Sequence, residues 1–235
     1  MLRIMPLGDS ITYDNDLRDC KTPRLIGDRI AYRFHLYVLL KQSGYDFTFV
    51  GNRKAGFNYF NESQNAGFPG CTVRQLAELL RTGYNGFEDC YEVKGKYLGL
   101  FNPDIILLHI GTNHVEKAVA GDMEDVLQSI LEYSDQRERV VTVFLARIID
   151  YAQHNPDVIR YNIAVDDLIK RWDNKTRTLK IIRVDMENAL DYAADMADKF
   201  HPNETGYKKI AEKWFEAIRR SYVPEINSSA EGMRV

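Results

Sequence analysis

Leu2 to Leu7 is a short apolar run that ends at Gly8, and Phe47 to Val50 is a second that ends at Gly51. Runs of this length bounded by glycine predict buried strands. Between them Ile30, Phe34, Tyr37 and Val38 recur at helical spacing, with Gly44 where a helix would stop. Ile105 to Ile110, Val140 to Ala146 and Leu179 to Val184 predict three further strands. Met123 to Tyr133, Ile159 to Trp172 and Glu204 to Tyr222 predict helices, with Val126, Ile130 and Tyr133 on a core-facing stripe. Strands that alternate with helices and are apolar along their whole length imply a parallel sheet covered on both faces, so the class is α/β.

Asn52 to Gly70 is rich in glycine and aromatic residues and predicts a loop, and the chain from Pro224 is polar. The expected organisation is one domain over residues 1–223 followed by a polar tail, 224–235. At 235 residues the chain is long enough for a full core. Hydrophobic residues make up 45% and charged residues 28%, as in an ordinary globular protein, and the net charge is −3. So slight an acidity offers no general attraction to phosphate backbones, so nucleic acid is not an expected partner. No apolar stretch approaches the roughly 20 residues of a membrane helix, so no membrane insertion is expected. Cys20, Cys71 and Cys90 are odd in number and have neither CxxC nor metal-ligand spacing. With no signal segment at the N-terminus, this favours free thiols in the cytoplasm. A secreted protein whose signal has been removed stays open, as does the oligomeric state.

In an open parallel sheet, functional groups gather beyond the carboxyl ends of the strands. Ser10 follows the first strand by two residues, and Asn113, within Gly111-Thr112-Asn113, follows the Ile105 strand in the same way. Asp198 and His201 precede the last helix, which starts at that rim. Gly8-Asp9-Ser10 lacks the G-x-G-x-x-G pattern that would hold a dinucleotide.

These residue types suit acyl transfer. A serine hydroxyl becomes a nucleophile when a base removes its proton, which His201 can do for Ser10. Asp198, three residues before the histidine, can hold the imidazole tautomer and balance its charge. The Ser10 and Gly70 N–H groups and the Asn113 side-chain amide can form an oxyanion hole.

Met5-Pro6-Leu7-Gly8-Asp9-Ser10-Ile11-Thr12 resembles the first block of the SGNH (GDSL-like) hydrolases. Gly67-Phe68-Pro69-Gly70 is placed like the second block, Gly111-Thr112-Asn113 like the third, and Asp198 to Asn203 running into Gly206-Tyr207 like the last. The resemblance spans residues 4 to about 215. It implies a flavodoxin-like three-layer α/β/α sandwich with a five-stranded parallel sheet, and it makes Ser10, Gly70, Asn113 and His201 the four name-giving residues. Tyr32-Arg33, Leu36, Leu40, Gly44 and Phe49-Val50-Gly51 look like the branch that contains acetylxylan and related carbohydrate esterases. Many relatives have aspartate after the third-block asparagine, where this chain has His114, which bears on substrate contacts.

The expected reaction is hydrolysis of small acyl esters, foremost O-acetyl groups on carbohydrate, with no cofactor and no metal. Phe57, Tyr59, Phe60 and Phe68 crowd the loop before Gly70, and with His114 they are candidates for substrate binding. A lysophospholipase or thioesterase of the same family is a second reading, and a carbohydrate-binding domain without turnover is a third. His109 reads as a hydrogen-bonded core residue, and Arg33 and Arg147 as partners of surface carboxylates.

Overall fold

Met5 and Leu7 face one side of the sheet and Ile4 the other, and all three are fully buried because helices cover both sides. The structure is a computed structural model and describes residues 1–83, 97–151, 154–173 and 175–223. Cys90 and the polar segment 224–235 lie outside the described residues.

Strand β1 (Leu2–Gly8) stands inside the sheet. On one side of β1, β5 (Ile105–His109), β6 (Val141–Arg147) and β7 (Leu179–Asp185) follow in order, all parallel. On its other side two short strands share one place. β2 (Phe47–Phe49) pairs with Leu2–Ile4, and β4 (Gln64–Gly67) pairs with Leu7 and Gly8. A two-residue β3 (Arg53–Lys54) runs antiparallel to β4. All five expected strands are present and parallel. The added pair β3–β4 falls inside the segment expected to be loop, because Gln64-Asn65-Ala66-Gly67 carries no apolar alternation and is strand only through its pairing with β3 and β1.

Helices α2 (Ala31–Gln42) and α7 (Glu204–Ser221) cover one face, where Tyr32, Leu36, Ile210 and Trp214 meet Ile4, Ile105, Leu107 and Phe144. Helices α3 (Val73–Thr82), the short α4 (Tyr97–Phe101), α5 (Ala120–Arg137) and α6 (Pro156–Trp172) cover the other, over Met5, Leu7, Ile106, Leu108 and Val143. The result is a three-layer α/β/α sandwich. Local chemistry sets the helix starts: Thr72 and Gln75 form a reciprocal cap on α3, Asn155 with Pro156 opens α6, and Asn203 accepts the Gly206 N–H to open α7.

Arg33 departs from the surface reading. Its guanidinium is fully buried and donates to the carbonyls of Thr12, Tyr13, Arg29, Ala55 and Ser63. These carbonyls come from the short helix after β1, from the segment before α2 and from the chain on either side of the β3–β4 turn, and one buried fork of donors serves them all. Arg147 does pair with carboxylates, those of Asp166, Asp185 and Glu187. His109 is fully buried in β5, where its Nε2 accepts the Ile149 N–H, and burial pushes its pKa down to about 4.

Candidate active site

Gly8 ends β1 because β5 passes too close for a side chain: a Cβ there would lie 2.1 Å from the carbonyl oxygen of His109. Asp9 then caps the one-turn helix α1 (Ser10–Tyr13) by accepting the Ile11 N–H at 3.0 Å. Ser10 is thereby the first helical residue, with its side chain at the rim. Burial pushes the Asp9 carboxyl up to about 6, against the pull of the Ile11 N–H and the charge of His201.

The other half of the site is a tight turn before α7. Met196 bridges Pro202, and Ala197 donates to the His201 carbonyl at 2.8 Å. Asp198 Oδ1 accepts the backbone N–H of Phe200 and of His201 at 2.8 and 2.9 Å. The turn so formed packs against Gly206, where a Cβ would lie 2.4 Å from the Asp195 carbonyl. His201 Nδ1 lies 2.9 and 3.0 Å from the two Asp198 oxygens, and its Nε2 lies 3.0 Å from Ser10 Oγ. Burial alone would raise the Asp198 carboxyl, but the N–H groups of Leu17 and Phe200 and the charge of His201 hold it below the usual range.

Beyond β5, Gly111 has φ +129, and a Cβ there would lie 2.5 Å from the Tyr161 ring. Tyr161 donates to the Ile110 carbonyl and Tyr151 to the Thr112 carbonyl, both at 2.8 Å, so two hydroxyls brace this turn. Asn113 Nδ2 donates to the Cys71 carbonyl at 3.0 Å, beside Gly70 with φ +80.

A cavity of about 610 Å³ opens here, and Ser10, Gly70, Asn113, His114 and His201 all line it. Asp198 stands behind His201. The aromatic candidates are elsewhere: between β3 and β4, Tyr59 and Phe60 pack on α2, and only Pro69 and Gly70 of this segment reach the cavity. Phe57 and Tyr59 are exposed, Phe60 is buried against Phe34 and Tyr37, and Phe68 is buried against Tyr97. Leu17, Tyr151, Lys199 and Phe200 line the cavity without having been singled out from the sequence. Tyr151 follows β6 at the same rim and Phe200 adjoins His201, so the rule that located Ser10 could have located both. Among the described residues no group of three or more His, Cys, Asp or Glu side chains could hold a metal ion, and no helix is long and apolar enough to cross a membrane.

This sandwich, with a serine, an imidazole and a carboxylate in hydrogen-bonded sequence at the carboxyl rim of its sheet, defines a serine hydrolase of carboxylic esters. The chain belongs to the GDSL-like Lipase/Acylhydrolase family, whose model matches residues 4–214. It is 33% identical over 235 residues to a multidomain esterase of Ruminococcus flavefaciens, covering 92% of this chain and 28% of that protein. The chain thus spans little more than a quarter of the relative's length. Among solved structures it is similar to a family 3 carbohydrate esterase of Clostridium thermocellum, with a TM-score of 0.72, 24% identity and coverage of 93% of this chain and 96% of that one. A carbohydrate esterase family 3 protein of Talaromyces cellulolyticus is similar over 94% of this chain and 97% of its own, at 19% identity and a TM-score of 0.68.

Proposed function

We propose that the chain hydrolyses O-acetyl esters of carbohydrates through an acyl-enzyme on Ser10. The observation that carries this reading is the unbroken sequence Ser10 Oγ, His201 Nε2, His201 Nδ1, Asp198, with its serine end open to the cavity. Asp198, an acceptor only, keeps the Nδ1 proton in place and leaves Nε2 to take the Ser10 proton as Oγ attacks the ester carbonyl. The tetrahedral oxyanion faces the Ser10 N–H, the Gly70 N–H and the Asn113 amide hydrogen that Cys71 does not use. His201 then returns the proton to the departing sugar hydroxyl. Water, deprotonated by the same imidazole, releases acetate from Ser10.

Two things support a carbohydrate ester. The structural neighbours include carbohydrate esterases. A second depression of about 430 Å³, bordered by Thr72, Arg74, Lys117 and Asp122, shares Asn113 and His114 with the cavity, leaving room beside the site for more than one sugar. His114 stands at that junction, and its Nδ1 lies 3.3 Å from Glu116.

The test is a panel of acetylated sugars, simple acetyl, butyryl and octanoyl esters, and thioesters. We expect kcat/KM to fall from acetyl to octanoyl and to be higher for acetylated sugars than for the simple acetyl ester. Ser10→Ala should stay folded and lose at least about 10³-fold in rate. A rate rising toward octanoyl would favour a lysophospholipase or thioesterase. Failure of Ser10 to react with a serine-directed phosphonate would favour the carbohydrate-binding domain without turnover.

A further inference from the structure

Asp198 takes all but one of its hydrogen bonds from its own turn. Oδ1 receives the Phe200 and His201 N–H groups, and both oxygens face His201 Nδ1. The remaining donor is the backbone N–H of Leu17, 2.9 Å from Oδ2 and 181 positions away in the chain.

We propose that the Leu17 N–H is a positioning group for catalysis, holding Asp198 in line with His201 from the segment that also forms one wall of the substrate cavity. This rests on the reading of Ser10, His201 and Asp198 as the catalytic chain.

Leu17 begins a single 3-10 turn, Leu17–Cys20, and the first N–H of such a turn has no partner within it. The turn is held in an unusually determined way. Asp16 accepts the Arg18 N–H at 2.9 Å while Asp19 accepts the Asp16 N–H at 3.0 Å, so cap and turn fix each other. Asp19, almost wholly buried, is gripped by Arg24 at 2.7 Å and by Arg29 at 2.8 Å. Arg29 is itself buried and also donates to the Asp14 carbonyl. Two guanidinium groups on one buried carboxylate leave the turn little freedom, and the Leu17 N–H points where Asp198 needs a donor. Asn15, Asp16, Leu17 and Cys20 line the cavity, so the wall that meets substrate and the donor that aims the carboxylate are one rigid piece.

The backbone allows a test. Asp16 has φ −114 and ψ 178, the extended form required before proline, and the first position of a helical turn accepts proline. Leu17→Pro replaces the N–H that Asp198 uses with a ring Cδ set against Oδ2, so it removes the donor and displaces the carboxylate together. Asp19→Asn, which loosens the turn without touching Asp198, is its companion variant, and the Leu17 side chain is half exposed. Leu17→Ala trims the side chain and keeps the N–H. With a simple acetyl ester we expect Leu17→Pro to lower kcat about tenfold or more while KM stays within about threefold, in line with loss of a hydrogen bond to a charged group. Leu17→Ala should act on KM and hold kcat within about twofold, because it disturbs the wall and not the donor. If Leu17→Pro keeps kcat within about twofold of Leu17→Ala while Ser10→Ala is inactive, the catalytic chain stands and the positioning role falls. If Ser10→Ala is active, the catalytic reading itself fails. Should circular dichroism show Leu17→Pro unfolded, Asp19→Asn loosens the same turn. A fall in kcat at steady KM then supports the proposal, and an unchanged kcat overturns it.

Discussion

Asn113 Nδ2 donates to the carbonyl oxygen of Cys71 at 3.0 Å, which commits one amide hydrogen and fixes where the other points. A single bond thus ties the turn beyond β5 to the segment carrying Gly70. Two of the three expected oxyanion donors are held relative to one another by it.

Asn113→Ala should lower kcat by about 10² to 10³, or about 2.7–4 kcal/mol, as expected for the loss of one oxyanion donor. Amide hydrogen exchange should quicken at residues 70–72, because the tie from Asn113 to the Cys71 carbonyl is lost. Steady-state kinetics on an acetyl ester gives the comparison. A rise in KM with kcat unchanged would make Asn113 a residue of ground-state binding.

Asp9 and His109 oppose each other in the dependence of stability on pH. Burial raises the Asp9 carboxyl from 3.8 to about 6, so between those values the folded chain keeps a proton that the unfolded chain releases, and stability falls as pH rises. Burial lowers His109 from 6.5 to about 4, so in nearly the same window the unfolded chain holds the extra proton, and stability rises with pH. Asp9→Asn removes the first slope alone. In urea titrations the variant should therefore gain on the wild type between about pH 4 and pH 6, by up to about 3 kcal/mol, and hold that gain above pH 6. Parallel curves through this window would contradict the raised Asp9.

Arg33→Met should cost at least about 3 kcal/mol, because several buried carbonyls lose their donor at once. Burial lowers the guanidinium to about 10, which still leaves it charged at neutral pH. Arg33→Lys should recover only part of the loss, since an ammonium cannot reach carbonyls spread from Thr12 to Ser63. The urea midpoint measures both variants, and a surface-like change under about 0.5 kcal/mol would refute the buried role.

Much of the fold is legible in the chain because the relevant signals are local. Ile105 to His109 reads as a doubly buried strand, and it is one. Asn203 announces the start of α7, and the rule that parallel strands end on one rim brings Ser10 and Asn113 to a common edge. Between Asn52 and Gly70 locality does not decide, because the aromatic density fits a substrate surface and loop packing equally well. There β4 exists only by pairing with β3 and with Leu7 and Gly8, and Tyr59 and Phe60, between β3 and β4, pack on α2. Arg33 shows the same limit: its carbonyl partners are set by segments that the helix pattern does not describe. By itself, then, the sequence determined the α/β class, the five parallel strands and the candidate residues Ser10, Asp198 and His201, because periodicity, caps and turn residues act within a few positions. Tertiary structure alone decided the split edge of the sheet, the cavity wall at Leu17 and Tyr151, and the Leu17 N–H on Asp198. Each of these depends on a hydrogen bond or contact between segments far apart in the chain, whose partner no local pattern names.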